Sequence, residues 1–338
     1  MGVDISGILE KRQIELGDLQ GTRVAVDAYN TIYQFVSAIR QPDGTPLSDS
    51  NGMPTSHLIG LLHRNVRLIS AGIRPFYVFD GFPSELKAAT LEKRKQIKIR
   101  ADEKYREAVE KKDMAKAYSY AMQTTRLTED MIEESMRILD LMGIPYMTAP
   151  ADGEAQASQM ALKGDVWAIA SQDFDSLLYG APRLVRNLNM SGRRKMPGRR
   201  EFREVHIEMI ELEPNLRRLG ISREQLVDIA ILVGTDFNEG VRGVGAKKGL
   251  AAMLKDGSIE SSQYAESIPA ELLSRVRETF LHPSFIQDYG LEWRQPDGEG
   301  LTEFLCHEHE FSRESVEEAL AGLKLADVTR QQSLDRWS

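Results

Sequence analysis

The sequence predicts an α/β protein built on a central, parallel-rich twisted sheet flanked by helices. Three short runs, RVAVDAY, PFYVFDG and VWAIAS, are rich in Val, Ile, Phe or Tyr and have the length of strands buried on both faces. Each run ends at acid: Asp27, Asp80, and Asp173 with Asp175. Parallel sheets present their functional groups just beyond the carboxyl ends of their strands, so these side chains are expected on one edge. Ionised carboxylates repel one another unless cations lie among them, and oxygen donors alone favour Mg²⁺ or Mn²⁺ over zinc.

Later segments extend the set. In PADGEAQA, Pro150 and Gly153 precede a helix-forming run, which puts Asp152 and Glu154 in a first helical turn. Asp236 follows the apolar run LVDIAILV at a Gly-bearing turn, VGTDFNEG. A lone Asp after a strand is most often a helix cap or turn residue, and Asp-x-Asp pairs are common. Seven carboxylates from five separated segments make the signal specific.

Length and composition set the limits. At 338 residues and 41% hydrophobic side chains, the chain can bury a large core as one α/β domain, with or without a smaller appended unit. The single Cys306 leaves no disulfide framework and fits a reducing compartment. No stretch reaches the ~20 apolar residues of a membrane helix. MGVDIS matches a short myristoylation pattern, but no secretory apolar region follows, and the chain reads as cytoplasmic.

The net charge of −8 argues against general nucleic-acid binding, whereas its distribution argues for it. Between Lys87 and Lys112 there are ten basic and five acidic residues, and between Arg183 and Arg203 eight basic residues and one acid, Glu201. The first stretch, full of helix formers and opposite-charge neighbours, also suits a solvated helix face. The second, with Arg193, Arg194 and Lys195, reads as a Gly- and Pro-marked loop that meets phosphates. After Asp236, GVRGVGAKKGLAAML places Gly240, Gly243 and Gly245 ahead of Lys247, Lys248 and an apolar helix. Glycines admit a phosphate close to backbone N–H groups, and a helix N-terminus favours its charge.

The segments AVDAYNTIYQF, VFDGFPSELK, PADGEAQAS, SQDFDSLL and VGTDFNEGVRGVGAKK occur in the order and near the spacing of the structure-specific flap endonuclease family. The resemblance runs from Met1 to about Leu325, and the compact length resembles archaeal members. It implies a PIN-like 5′-nuclease fold over 1–325, with an N-terminal region at about 1–98, a helical arch at about 84–128 and an internal nuclease region at about 116–258. A helix-turn-helix DNA-binding element, in which the family often holds potassium, would include Gly240, Gly243 and Gly245, and Gly234 is also expected at the DNA.

Carried over by position, the resemblance implies that Asp27, Asp80, Asp152, Glu154, Asp173, Asp175 and Asp236 hold two Mg²⁺ ions, with Mn²⁺ as an alternative. It gives Lys87 and Arg94 the role of a basic pair at the foot of the arch, on one helix face by their seven-residue separation, acting on the scissile phosphate. Tyr33 matches an aromatic that packs on a substrate base, although YNTIYQFV also reads as a core-facing helix stripe. Gly2 matches an exposed N-terminal residue at the DNA. The last residues, 326–338, resemble a sliding-clamp-binding tail, QQSLDRWS, with Gln331, Leu334 and Trp337 as its anchors. Two positions depart from the family pattern: Ser338 replaces a second aromatic, and Asp152 replaces Glu, which suits an acid acting through water.

The resemblance therefore implies a monomeric enzyme, nucleoid-associated if archaeal, that cuts 5′ flaps of branched DNA at the duplex junction, with 5′-3′ exonuclease activity, in replication and repair. Competing readings are a metal-dependent phosphatase and a non-catalytic, clamp-bound DNA adaptor; RNA cleavage is a related alternative. The Cys306–His309 segment CHEH lacks a second ligand pair at finger spacing and reads as part of a helix rather than a zinc site.

Overall fold

The structure, a computed structural model, describes residues 2–41, 44–111, 113, 116, 119–121, 124–189, 192–195 and 202–334. Seven strands form one sheet in the order β1 (Arg12–Ile14), β9 (Ile207–Glu211), β6 (Arg183–Arg186), β5 (Ala168–Ala170), β2 (Arg23–Asp27), β3 (Arg74–Phe79) and β4 (Tyr146–Thr148). From β6 to β4 the neighbours are parallel, while β9 runs antiparallel to both β6 and β1. The three runs singled out in the sequence are β2, β3 and β5, and β2 lies between the other two.

Alternation along these strands feeds two cores, one on each face of the sheet. Val24, Val26, Tyr77, Phe79, Ala168 and Ala170 join one cluster, and Ala25, Phe76, Val78 and Ile169 join the other. The first face is covered by α1 (Ala28–Ala38), α2 (Ser56–Ser70), α4 (Glu129–Leu141) and α12 (Arg313–Leu334). The second is covered by α5 (Gly153–Lys163) and by a strap whose Trp293 donates to the Pro75 carbonyl at 2.8 Å. Both faces being dry explains why these runs read as continuously apolar.

A third core gathers α6 (Asp175–Leu178), α7 (Leu212–Leu219), α8 (Arg223–Val233), α9 (Ala246–Asp256) and α10 (Ala270–Leu281) beside the sheet. An ion pair flanks it: Arg277 makes a two-pronged contact at 2.7 Å with Asp228, which is 4% exposed, and a second contact with Glu260. We expect Arg277→Leu to cost about 2 to 3 kcal/mol at neutral pH, because it leaves the Asp228 carboxylate buried without its cation. Its hydrogen bonds from Arg277 hold the Glu260 carboxyl down at about 2, against 4.5 in an unfolded chain. That lowering stabilises the fold above pH 4.5 and is lost as pH falls toward 2, so the variant should show a shallower acid limb in pH-dependent melting.

One expectation changes. The basic segment expected as a loop contains paired antiparallel strands, β7 (Gly192–Lys195) and β8 (Phe202–Val205). A run of Gly, Arg and Lys carries no apolar alternation, so β7 left no strand signal in the sequence. The CHEH residues belong to a π-helical turn, Glu303–Glu308, and the residue after it, between α11 (Gly298–Thr302) and α12. His309 there lies 3.7 Å from Glu134, which also bonds the fully buried His57 at 2.8 Å. Among the described residues no helix is long and apolar enough to cross a membrane.

Candidate active site

The carboxyl ends of β2, β3 and β5 open onto one edge, and the acids arrive there on short, well-capped connections. Asp27 ends β2 and caps α1, accepting from Asn30 N at 3.0 Å and from Ser171 Oγ at 3.2 Å. Asp80 follows β3 and accepts from Gly153 N at 2.7 Å; a Cβ on Gly153 would stand 2.9 Å from that same oxygen. Asp152 caps α5 through Glu154 N at 3.0 Å and accepts from the Tyr179 hydroxyl at 3.2 Å. Asp173 accepts from Asn30 Nδ2 at 3.2 Å, and Asp175 opens α6. Asp236 sits half-buried in a turn braced by Thr235 and Asn238.

Burial and mutual repulsion dominate the electrostatics. Burial first, and then Asp80, raises the Asp27 carboxyl well above its ordinary range. Glu154 is likewise raised by burial and by Asp175. Asp80 is pushed to about 6 by burial and Asp152, and Asp175 to about 7 by burial and Asp173. Lys87 is a cation within this group, with Nζ 2.5 Å from Asp152 Oδ2 and 5.4 Å over the Phe237 ring. Burial works against its charge, but Asp152, Asp80 and Asp236 outweigh it and hold the ammonium above its usual range.

The donor set fits a hard divalent cation. Every functional atom in the cluster is oxygen except the lysine nitrogen, and Glu154 Oε1 is buried without a hydrogen-bond partner among the described residues. The carboxylates are not drawn tightly around one point: among the described residues no three acidic, imidazole or thiol groups meet as closely as ligands of a single ion. Holding a cation therefore calls for side-chain adjustment, which Lys87 on Asp152 opposes.

The beginning of the chain closes the cluster. Gly2 N donates to Asp173 Oδ1 and Val3 N to Asp175 Oδ1, both at 3.1 Å. Gly2 is half-buried, not exposed as the resemblance implied, and a Cβ there would stand 2.6 Å from Asp175 Oδ1. Gly2→Val should therefore lower catalytic turnover by about tenfold, the equivalent of roughly 1.4 kcal/mol of displaced carboxylate, with little change in melting temperature. A rate equal to wild type would show that the terminus does not set the acid's position.

Residues 1–101 match the XPG N-terminal domain and residues 143–236 the XPG I-region. Flap endonuclease 1 of Methanosarcina acetivorans is 48% identical over 337 residues, spanning 100% of both chains. The chain belongs to the flap endonuclease 1 family. A solved flap endonuclease-1 from Methanococcus jannaschii superposes with a TM-score of 0.76 at 38% identity, covering 97% of this chain and 100% of that one. The catalytic core of Rad2 in complex with DNA substrate matches with a TM-score of 0.69 at 25% identity, covering 93% of this chain and 96% of that one.

For this flap endonuclease family member, the other expected positions fall as follows. Lys87 ends a 3-10 turn (Glu85–Lys87) and, with helical angles of φ −76° and ψ −13°, leads into α3 (Ala88–Glu110), the helix that carries Arg94. Tyr33 is 37% exposed on α1 with the Lys98 ammonium 5.7 Å over its ring, so it is not a core residue. Gly234 and Gly240 take positive φ of 107° and 71° where backbones cross too closely for a side chain. Gly243 and Gly245 face open space ahead of α9, where Lys247 is exposed and Lys248 donates to the Gly243 carbonyl at 2.8 Å. The side chains of Arg94, Arg193, Arg194, Lys195, Gln331 and Leu334, and all of Trp337, lie outside the described residues.

Sequence reasoning missed the residues that hold the acids in place. Asn30 and Ser171 carried a faint signal, since each lies three or fewer residues from an acid it bonds or shares, but Tyr179 carried none. It reaches Asp152 only because α6 is a single turn that swings it back across the site.

Proposed function

We propose that this nuclease hydrolyses a phosphodiester of branched DNA at the junction of a single-stranded 5′ flap with duplex, and that Asp27, Asp80, Asp152, Glu154, Asp173, Asp175 and Asp236 serve two Mg²⁺ ions. The observation that carries this reading is the buried carboxylate group at one sheet edge, whose carboxyls burial and crowding raise above their ordinary range and which contains a Glu154 oxygen without a bonding partner among the described residues. Divalent cations bound there supply charge neutralisation and a water activated for in-line attack. Hydrolysis forms one P–O bond from water and breaks the P–O3′ bond, leaving a 3′-hydroxyl on the flap and a 5′-phosphate on the duplex.

The protein's own groups orient that step. Lys87, and Arg94 farther along the arch, offset negative charge on the phosphate, and the glycine turn before α9 with Lys247 and Lys248 tracks the duplex backbone. The basic hairpin β7–β8 adds Arg193, Arg194 and Lys195 to the same field. A potassium ion in the Gly240–Gly245 turn, a domain spanning 1–325, a monomeric state and nucleoid localisation belong to the same proposal. Asp152 takes its water-mediated role while its direct partners are Lys87 and Tyr179. A phosphatase would have no use for the basic hairpin or the glycine turn.

Cleavage of a labelled double-flap DNA, scored for cut position with Mg²⁺ and with chelator, tests the proposal. A metal-dependent cut at the junction is expected. DNA binding without cleavage would leave a clamp-bound adaptor, and neither binding nor cleavage a phosphatase. The residues 326–338 are proposed to dock a sliding clamp, so deleting Gln331–Ser338 should leave intrinsic cleavage within about twofold of wild type while removing stimulation by a clamp. Equal stimulation of both proteins would refute the docking role.

A further inference from the structure

Phe82 is 89% exposed, two residues beyond Asp80 and five before Lys87. Single exposed apolar residues are ordinary, but this ring is not on a loose loop. Just before it, Gly81 N donates to the Ala151 carbonyl at 2.7 Å, and a Cβ on Gly81 would stand 2.0 Å from the Ala149 oxygen. The backbone is thus pressed against the segment that carries Asp152. Just after it, Pro83 restricts the next φ, Lys87 N donates to the Ser84 carbonyl at 2.9 Å, and Leu86 packs on the helical core. Glu85 meets Arg275 of α10 at 3.9 Å. A loop anchored on both sides therefore presents a bare ring two residues from Asp80, on backbone held against the segment that carries Asp152.

The surroundings select the chemistry of what covers it. In the chain, Phe82 stands between Asp80 of the acid group and Lys87, which contacts Asp152 and leads into the basic helix α3. A ligand that combines negative charge with a flat π-face is a nucleotide of single-stranded nucleic acid. Phenylalanine offers no hydrogen bond, so it accepts any base, and its two side-chain torsions make immobilisation inexpensive.

We propose that Phe82 is a stacking platform for the first unpaired nucleotide on the flap side of the phosphate being cut. The inference rests on the flap endonuclease reading and deepens it. Stacking there fixes the sugar and phosphate of that nucleotide over the carboxylates, so its effect falls on the cleavage step and is larger for purines than for pyrimidines.

The test uses full-length protein and double-flap DNA with 2-aminopurine as the first flap nucleotide, comparing wild type, Phe82→Ala and Phe82→Trp. Binding in Ca²⁺ should quench the fluorescence with wild type and Phe82→Trp but not with Phe82→Ala. In Mg²⁺, Phe82→Ala should lower single-turnover cleavage by about tenfold, the effect of losing one base–aromatic stack, and Phe82→Trp should restore it. Because the ring is exposed, all three proteins should melt at the same temperature. Equal quenching and equal rates for Phe82→Ala and wild type would overturn the inference, as would a lowered melting temperature with quenching unchanged. If wild type cut no flap, the functional reading would fail instead, and quenching that depends on Phe82 would still support stacking.

Discussion

Asp175→Asn is expected to abolish metal-dependent cleavage while leaving DNA binding intact, with a fall in single-turnover rate of at least about a thousandfold. The size follows from losing one carboxylate of the proposed cation site, worth several kcal/mol of transition-state stabilisation, at roughly 1.4 kcal/mol per tenfold. Asn keeps an oxygen that can accept from Val3 N, now 3.1 Å from Asp175 Oδ1, so the start of the chain stays docked. The same substitution should stabilise the protein in chelator. Asp175 is raised from 3.8 to about 7 by burial, Asp173 and Asp236, so the folded state binds more protons than the unfolded one across that interval. Its contribution to stability is therefore favourable at low pH and declines as pH rises toward 7. The variant should melt higher than wild type at pH 8 and nearly equal to it at pH 4. A variant that melted lower at pH 8 would mean that Asp175 is structurally required rather than electrostatically strained.

Lys87→Met should slow cleavage by about a hundredfold, the cost of removing one preorganised charge from the phosphate that Lys87 is proposed to face. Its dependence on Mg²⁺ should move the other way. With Nζ 2.5 Å from Asp152 and held charged by Asp152, Asp80 and Asp236 against its burial, Lys87 competes with any cation for the same oxygens. Removing it leaves those carboxylates uncompensated, so the Mg²⁺ concentration for half-maximal rate should fall, and added Mg²⁺ should recover melting temperature lost in chelator. A Mg²⁺ requirement that rises in Lys87→Met would show that the lysine assists metal binding instead. Lys87→Arg should retain charge with displaced geometry and give an intermediate rate.

Much of this arrangement was legible in the sequence because parallel strands buried on both faces leave a distinctive record. Val24 to Val26 and Phe76 to Phe79 are all shielded, so their apolar runs are unbroken and the acids that end them stand out. Asp152 and Glu154 were equally readable from Pro150 and Gly153, since helix starts follow local rules. The strand pair β7–β8 was not, because a run of Gly, Arg and Lys such as β7 lacks the apolar alternation that marks a half-buried strand in a sequence. Gly2 was recognised by resemblance, but its half-buried seat depends on contacts with residues far along the chain. Tyr33 could be read as core or as surface because α1 carries both; the ring's exposure separates them. Lys87 was identified by position, whereas its grip on Asp152 needs two segments separated by 65 residues to meet.

The contacts of Gly2 and Val3 span 171 and 172 residues of chain. Closing so wide a loop carries an entropic cost that local structure cannot offset early, which assigns the pairing to a late stage of folding. The acids themselves are spread from Asp27 to Asp236, so no early fragment holds the full set. During synthesis, a chain that has emerged only as far as β4 has Asp27 and Asp80 but neither Asp173 nor Asp175. On the proposed two-metal reading, nascent fragments would lack a complete acid set, and the power to cut DNA would arrive only once the middle of the chain has folded back onto its beginning.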